Sequence, residues 1–136
     1  MTAKLVVSLV IIAAFITASC SAPSGEETIK STRSGDLTIA LTSAKGTLKI
    51  GDNEFLIRFS DSSGKPVDVG AASLAFQMAA MGTMPEMNSK ATLTTTDVPG
   101  QYRATAGIEM PGTWEAVVSY EGPHGTGQAR MTVNVK

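Results

Sequence analysis

The feature that most limits the folds open to this chain is a succession of short segments in which apolar and polar residues alternate, broken at close intervals by turn signals. Leu37, Ile39 and Leu41 alternate with polar residues, and Leu48 and Ile50 do the same before Gly51-Asp52-Asn53. Phe55, Ile57 and Phe59 share one face of the next segment, and Asp61-Ser62-Ser63-Gly64-Lys65-Pro66 then supplies residues that accept or preset turn dihedrals. A period of two puts every second side chain on one face of a strand. An amphipathic helix needs a period near 3.6, and no segment beyond the N-terminal region carries a convincing stripe of that kind.

The pattern continues to the end of the chain. Leu74 and Phe76 predict a strand through Gln77, Thr92 to Thr96 a weaker one, and Pro99-Gly100 opens another from Gln101 to Ala106. Gly112 leads into Trp114, Ala116, Val118 and Tyr120 on one face, with Val117 on the other. Glu121-Gly122-Pro123-His124-Gly125 makes a turn, and Met131, Val133 and Val135 form the last strand. Seven to nine such strands, each with one apolar face, predict an all-β domain, an immunoglobulin-like antiparallel β-sandwich over residues 36–136, with an antiparallel barrel as the alternative. Trp114 has the size to fill the centre of the core, and Tyr102 belongs to the core beside it. A single cysteine, Cys20, excludes any disulfide within the chain, so the domain holds by packing alone.

The first twenty residues differ sharply in composition. Lys4 is followed by an apolar run from Leu5 to Ile16 and then by Thr17-Ala18-Ser19-Cys20. The run is short for a bilayer span, which takes roughly 20 apolar residues, and reads as a secretory signal peptide over residues 1–19. Its end resembles the bacterial lipobox, in which a cysteine after small residues is lipidated, departing from it at Thr17 where Leu is usual. The resemblance implies a lipidated Cys20 and an exported protein of the cell envelope, anchored to a membrane and facing the periplasm or the extracellular side. An ordinary signal peptide cut nearby is the alternative. Ser21 rather than Asp after the cysteine resembles outer-membrane sorting in Gram-negative bacteria. The polar, proline-containing run from Ser21 predicts a flexible tether over residues 20–35.

Phe55 and Phe59 before Asp61-Ser62-Ser63-Gly64-Lys65-Pro66-Val67 are followed by Met84-Pro85-Glu86-Met87, Gly100-Gln101-Tyr102-Arg103-Ala104 and Met110-Pro111-Gly112-Thr113-Trp114, then by a valine-rich last strand. In this order and spacing the stretch from Gly51 to Val135 resembles the YtkA-like family. The resemblance implies a small exported β-sandwich of the kind found in bacterial lipoproteins and near heavy-metal efflux components. It supports metal handling by association.

Met78, Met81, Met84 and Met87 recur every third residue, and Gly82 and Pro85 between them argue for a loop joining two strands rather than a helix. Thioether sulfur is soft and uncharged, so a cluster of Met81, Met84 and Met87, with Met78 or His124 in reserve, would suit Cu(I) or Ag(I) better than Zn²⁺. The competing use of such methionines is to fill irregular gaps or to form an adaptable apolar surface for a protein partner. His124, the sole histidine, stands in a turn, and Glu86 reads as a solvated loop charge. One His, one Cys and no glycine-flanked serine elbow leave no recognisable nucleophile with its base, and no phosphate-binding glycine motif is present. Eleven Lys and Arg against twelve Asp and Glu provide no excess to neutralise nucleic acid. The expectation is a non-enzymatic, membrane-tethered envelope lipoprotein, an accessory in copper or heavy-metal handling through a Met-rich loop. The alternative is an interaction module docking on an envelope or efflux complex without metal.

Overall fold

The computed structural model describes residues 25–136. The signal peptide and Cys20 lie outside the described residues. Nine strands follow one another: β1 (Glu27–Ser34), β2 (Leu37–Ser43), β3 (Gly51–Ser60), β4 (Ala71–Met78), β5 (Met87–Lys90), β6 (Thr92–Thr95), β7 (Gln101–Ile108), β8 (Gly112–Gly122) and β9 (Gly125–Val135). They form a five-stranded sheet in the order β1-β2-β3-β7-β6 and a four-stranded sheet in the order β5-β4-β8-β9. All named strand pairs are antiparallel, and no helix occurs among the described residues.

Two apolar faces meet between the sheets because each strand places every second side chain inward. Ile39 and Leu41 of β2, Phe55, Ile57 and Phe59 of β3, and Tyr102, Ala104, Ala106 and Ile108 of β7 come from one sheet. Leu74 and Phe76 of β4, Trp114, Ala116, Val118 and Tyr120 of β8, and Met131, Val133 and Val135 of β9 come from the other. Phe59 meets Tyr102 and Tyr120 edge-on, each at 5.8 Å between ring centroids, and Phe55 meets Phe76 in the same way at 5.8 Å. The Phe59–Tyr120 and Phe55–Phe76 contacts join the two layers, while Phe59–Tyr102 lies within the five-stranded sheet, all with the edge-to-face geometry aromatic rings prefer.

Three expectations change. Residues 27–34 are not part of a tether. They pair with β2 in register from Glu27 opposite Ser43 to Ser34 opposite Leu37, with a bulge between Thr28 and Lys30. The segment has no apolar alternation of its own, and the backbone groups of β2 recruit it. Gly51-Asp52-Asn53 opens β3, and the inward Asn53 satisfies the bend before it. Its Nδ2 donates to the carbonyls of Lys49 (2.8 Å) and Gly51 (3.0 Å), and its Oδ1 accepts from the Lys49 N–H (2.9 Å). Leu48 then forms an isolated parallel bridge to Val135 instead of a strand. Trp114, the third residue of β8, fills one end of the core rather than its centre, and its indole N–H donates to the Met110 carbonyl at 3.1 Å.

Candidate functional site

The segment between β4 and β5 is an extension of their hairpin. Met78, last in β4, stands opposite Met87, first in β5, and Met81 stands opposite Met84 in an isolated antiparallel bridge. Both pairs keep one register. The ladder lapses between them, where Pro85 has no N–H to give. Gly82 at φ +58° lets the chain reverse in two residues, since the first central position of such a turn takes a positive φ that glycine adopts without steric penalty.

This hairpin bends over the start of β8. Met78, Met81, Met84 and Met87 line one side of a cleft of about 270 Å³, and Met110, from the connection between β7 and β8, lines it with Pro111, Gly112 and Thr113. Five of the chain's seven methionines therefore converge on one hollow. They differ in exposure. Met78 is buried, Met87 and Met110 are half-buried, and Met81 and Met84 are open to solvent at 64% and 39%. Gly112 is required at its place because a Cβ there would stand 3.3 Å from the terminal methyl of Met78, in a backbone conformation (φ +129°) that side chains avoid. No ionisable side chain lines the cleft, and its one hydroxyl, Thr113 Oγ1, bonds outward to Asn134 Oδ1 at 3.1 Å.

The structure separates His124 from this set. It is exposed in the turn between β8 and β9, at the far end of an eleven-residue strand whose other end is Gly112. At about 3.4 Å per residue the two ends lie roughly 30 Å apart, so His124 is not a ligand in reserve for this cleft. Glu86 lines a neighbouring hollow with Gln77, Trp114 and Glu115 and not the methionine cleft. Met131 is core. Met110 joins the site although it stands apart in the sequence. The one sequence signal for it is Met110-Pro111-Gly112 directly before the strand of Trp114, and only the β4–β8 pairing, Gln77 opposite Glu115, brings it beside Met78.

Among the described residues no three His, Cys, Asp or Glu side chains gather as a metal site, and the donors that line the cleft are thioether sulfurs. Asp61 and Tyr102, whose pKa values are displaced, lie at the opposite end. Hydrogen bonds from the Ser63 hydroxyl and the Lys65 N–H hold the Asp61 carboxyl below its ordinary value. Burial, helped by the charge of Asp68, raises the Tyr102 phenol, which donates to the Gly70 carbonyl at 2.5 Å.

No curated protein and no solved structure matches the chain. The family model described as YtkA-like matches residues 31–119, from within β1 to within β8. The match takes in the methionine hairpin and Met110 and covers most of the chain, and the chain belongs to the YtkA-like family.

Proposed function

We propose that the protein is a non-enzymatic envelope lipoprotein, held at a membrane through Cys20, that captures and releases a soft monovalent ion, Cu(I) or Ag(I), in the methionine cleft. The observation that carries this reading is the convergence of five thioethers from two separate segments on one hollow without an ionisable side chain. Neutral sulfur ligands suit monovalent soft ions and disfavour Zn²⁺, which prefers thiolate and imidazole. They also need no deprotonation before binding, which favours exchange over tight storage. Met81, Met84 and Met87 are the capturing ligands, with Met78 and Met110 behind them.

Titration of the protein with Cu(I) against a competing chelator tests the reading, alongside a variant carrying Leu at Met81, Met84 and Met87. Leucine keeps the apolar volume and removes the sulfur. Binding by the wild type that weakens by at least about tenfold in the variant, about 1.4 kcal/mol, supports the reading. Absence of binding in the wild type overturns it. The exposure of Met81 and Met84 favours one alternative, docking of an envelope protein partner on the same apolar lip, and the leucine variant would retain that activity.

A further inference from the structure

The methionines of the cleft form a graded series. Met81 and Met84 are open to solvent, Met87 and Met110 are half-buried, and Met78 is 7% exposed. Met131, at 5%, lies between the sheets and outside the cleft. The two open residues are also neighbours. Each donates its N–H to the other's carbonyl, and residues that exchange both bonds across an antiparallel pair carry their side chains on one face of the ladder. Two thioethers therefore stand side by side at the tip of the hairpin, with three more behind them. Met78 is part of the packed core and Met87 and Met110 lean against it, whereas Met81 and Met84 do neither.

Thioether sulfur is the side-chain group in this cleft that a two-electron oxidant attacks. A sulfur lone pair attacks one oxygen of a hydroperoxide, an S–O bond forms and the O–O bond breaks. The leaving oxygen takes up the proton and departs as water or an alcohol, so sulfur is oxidised by two electrons and the peroxide is reduced. The sulfoxide is polar and chiral and presents oxygen where a soft donor stood, which no longer suits Cu(I) or Ag(I). A thiol-dependent sulfoxide reductase reverses the step, two thiols closing to a disulfide as the oxygen leaves as water. No ionisable side chain lines the cleft to activate one sulfur over another, so access sets the order in which they react.

We propose that Met81 and Met84 are a reversible oxidation site for hydroperoxides, and that their conversion to sulfoxides closes the methionine cleft to soft metal ions while the sandwich beneath stays folded. The fold is spared because the two sulfurs lie outside the core and their link to each other is a two-residue turn whose Gly82 meets no neighbour within 4 Å. The same packing that buries Met78 and Met131 keeps the oxidant from the sulfurs whose change of polarity would loosen the sheets. Oxidation and metal binding also compete, since both draw on the lone-pair electrons of sulfur, and a bound ion withdraws them from the peroxide. The metal consequence rests on the ion capture proposed above, whereas the order of oxidation does not.

The test exposes the full chain to hydrogen peroxide and follows oxygen uptake residue by residue by mass spectrometry of its peptides. Met81 and Met84 should react first, at least about tenfold faster than Met78 and Met131, with Met87 and Met110 between. The chain oxidised at those two positions should keep the unfolding midpoint of the untreated chain. Its affinity for Ag(I), a soft ion that does not cycle with peroxide as copper does, should fall at least about tenfold and return after treatment with the two reductases that serve the two sulfoxide epimers. Saturating Ag(I) should slow oxidation at Met81 and Met84 and leave Met131 unchanged. Oxidation of Met78 or Met131 as fast as Met81 overturns the proposal, as does unfolding on oxidation of the tip, an Ag(I) affinity that survives it, or bound Ag(I) that gives no protection. Failure of the untreated chain to bind Ag(I) overturns the metal reading and the closing of the cleft with it. That failure is recognised separately, because the order of oxidation is measured without any metal.

Discussion

Met81 and Met84 exchange two backbone hydrogen bonds, Met81 N–H to the Met84 carbonyl at 3.1 Å and Met84 N–H to the Met81 carbonyl at 2.9 Å, and so close the tip of the hairpin that carries the methionine site. The tip depends on Gly82, whose Cβ-less position meets no neighbour within 4 Å, so a substitution there acts through the backbone alone. Gly82→Val should cost about 1–2 kcal/mol locally by forcing a β-branched residue to a positive φ. Faster hydrogen exchange at the Met81 and Met84 amides with little change in the global unfolding midpoint is the expected signature.

Met110 and Met131 provide a matched comparison. Both exchanges for leucine conserve volume and should cost less than about 1.5 kcal/mol of stability. Met110→Leu should lower Cu(I) affinity several-fold in a competition titration, because Met110 lines the cleft. Met131→Leu should leave affinity unchanged, because Met131 is buried in β9 between the sheets. Equal effects of the two would show that position in the cleft does not matter.

Trp114 ties the core to the site through its indole N–H on the Met110 carbonyl. Trp114→Ala should cost about 3–5 kcal/mol, a large part of the stability of a domain this size. Trp114→Phe keeps most of the volume but leaves that carbonyl without its partner, for a loss of about 1–3 kcal/mol. Urea unfolding followed by circular dichroism measures both.

Stability should fall at both extremes of pH for reasons that can be assigned. The folded Asp61 carboxyl is depressed, so its contribution is present above its unfolded pKa of about 3.9 and is lost as pH falls through the folded value. Asp61→Asn should therefore be less stable than wild type near neutrality, with the difference closing in acid. The folded Tyr102 phenol is raised, so its contribution is present below its unfolded pKa of about 10 and is lost as pH rises through the folded value. Tyr102→Phe should flatten that alkaline loss, while leaving the Gly70 carbonyl without its hydroxyl donor should cost about 1–3 kcal/mol near neutrality. Urea midpoints across the pH range check both signs.

The strands with an apolar face of their own were legible from alternation. Phe55, Ile57 and Phe59 in β3, and Trp114, Ala116, Val118 and Tyr120 in β8, are buried as their spacing requires. The Asp61 turn was also legible, since Asp61 Oδ1 accepts from the Ser63 N–H at 2.9 Å and the Lys65 N–H at 3.0 Å, bonds that span only two and four residues. β1 was not, because Glu27–Ser34 carries no alternating apolar set and is a strand only through its pairing with β2. The candidate site divides in the same way. Four of its methionines announce themselves by their spacing, but Met110 enters through the pairing of β4 with β8, and His124 leaves because β8 carries it to the other end of the sandwich.

Local order in the amino acids thus determined what this chain repeats residue by residue: a period of two, the turns that interrupt it, a two-faced core and a cluster of soft sulfur. What only the tertiary structure decided was which distant segments became neighbours, and so that the sulfur cluster has a fifth member and no histidine. The reason is physical. Side-chain alternation is a property of a single strand, whereas strand order and register are settled by the burial of all the strands together.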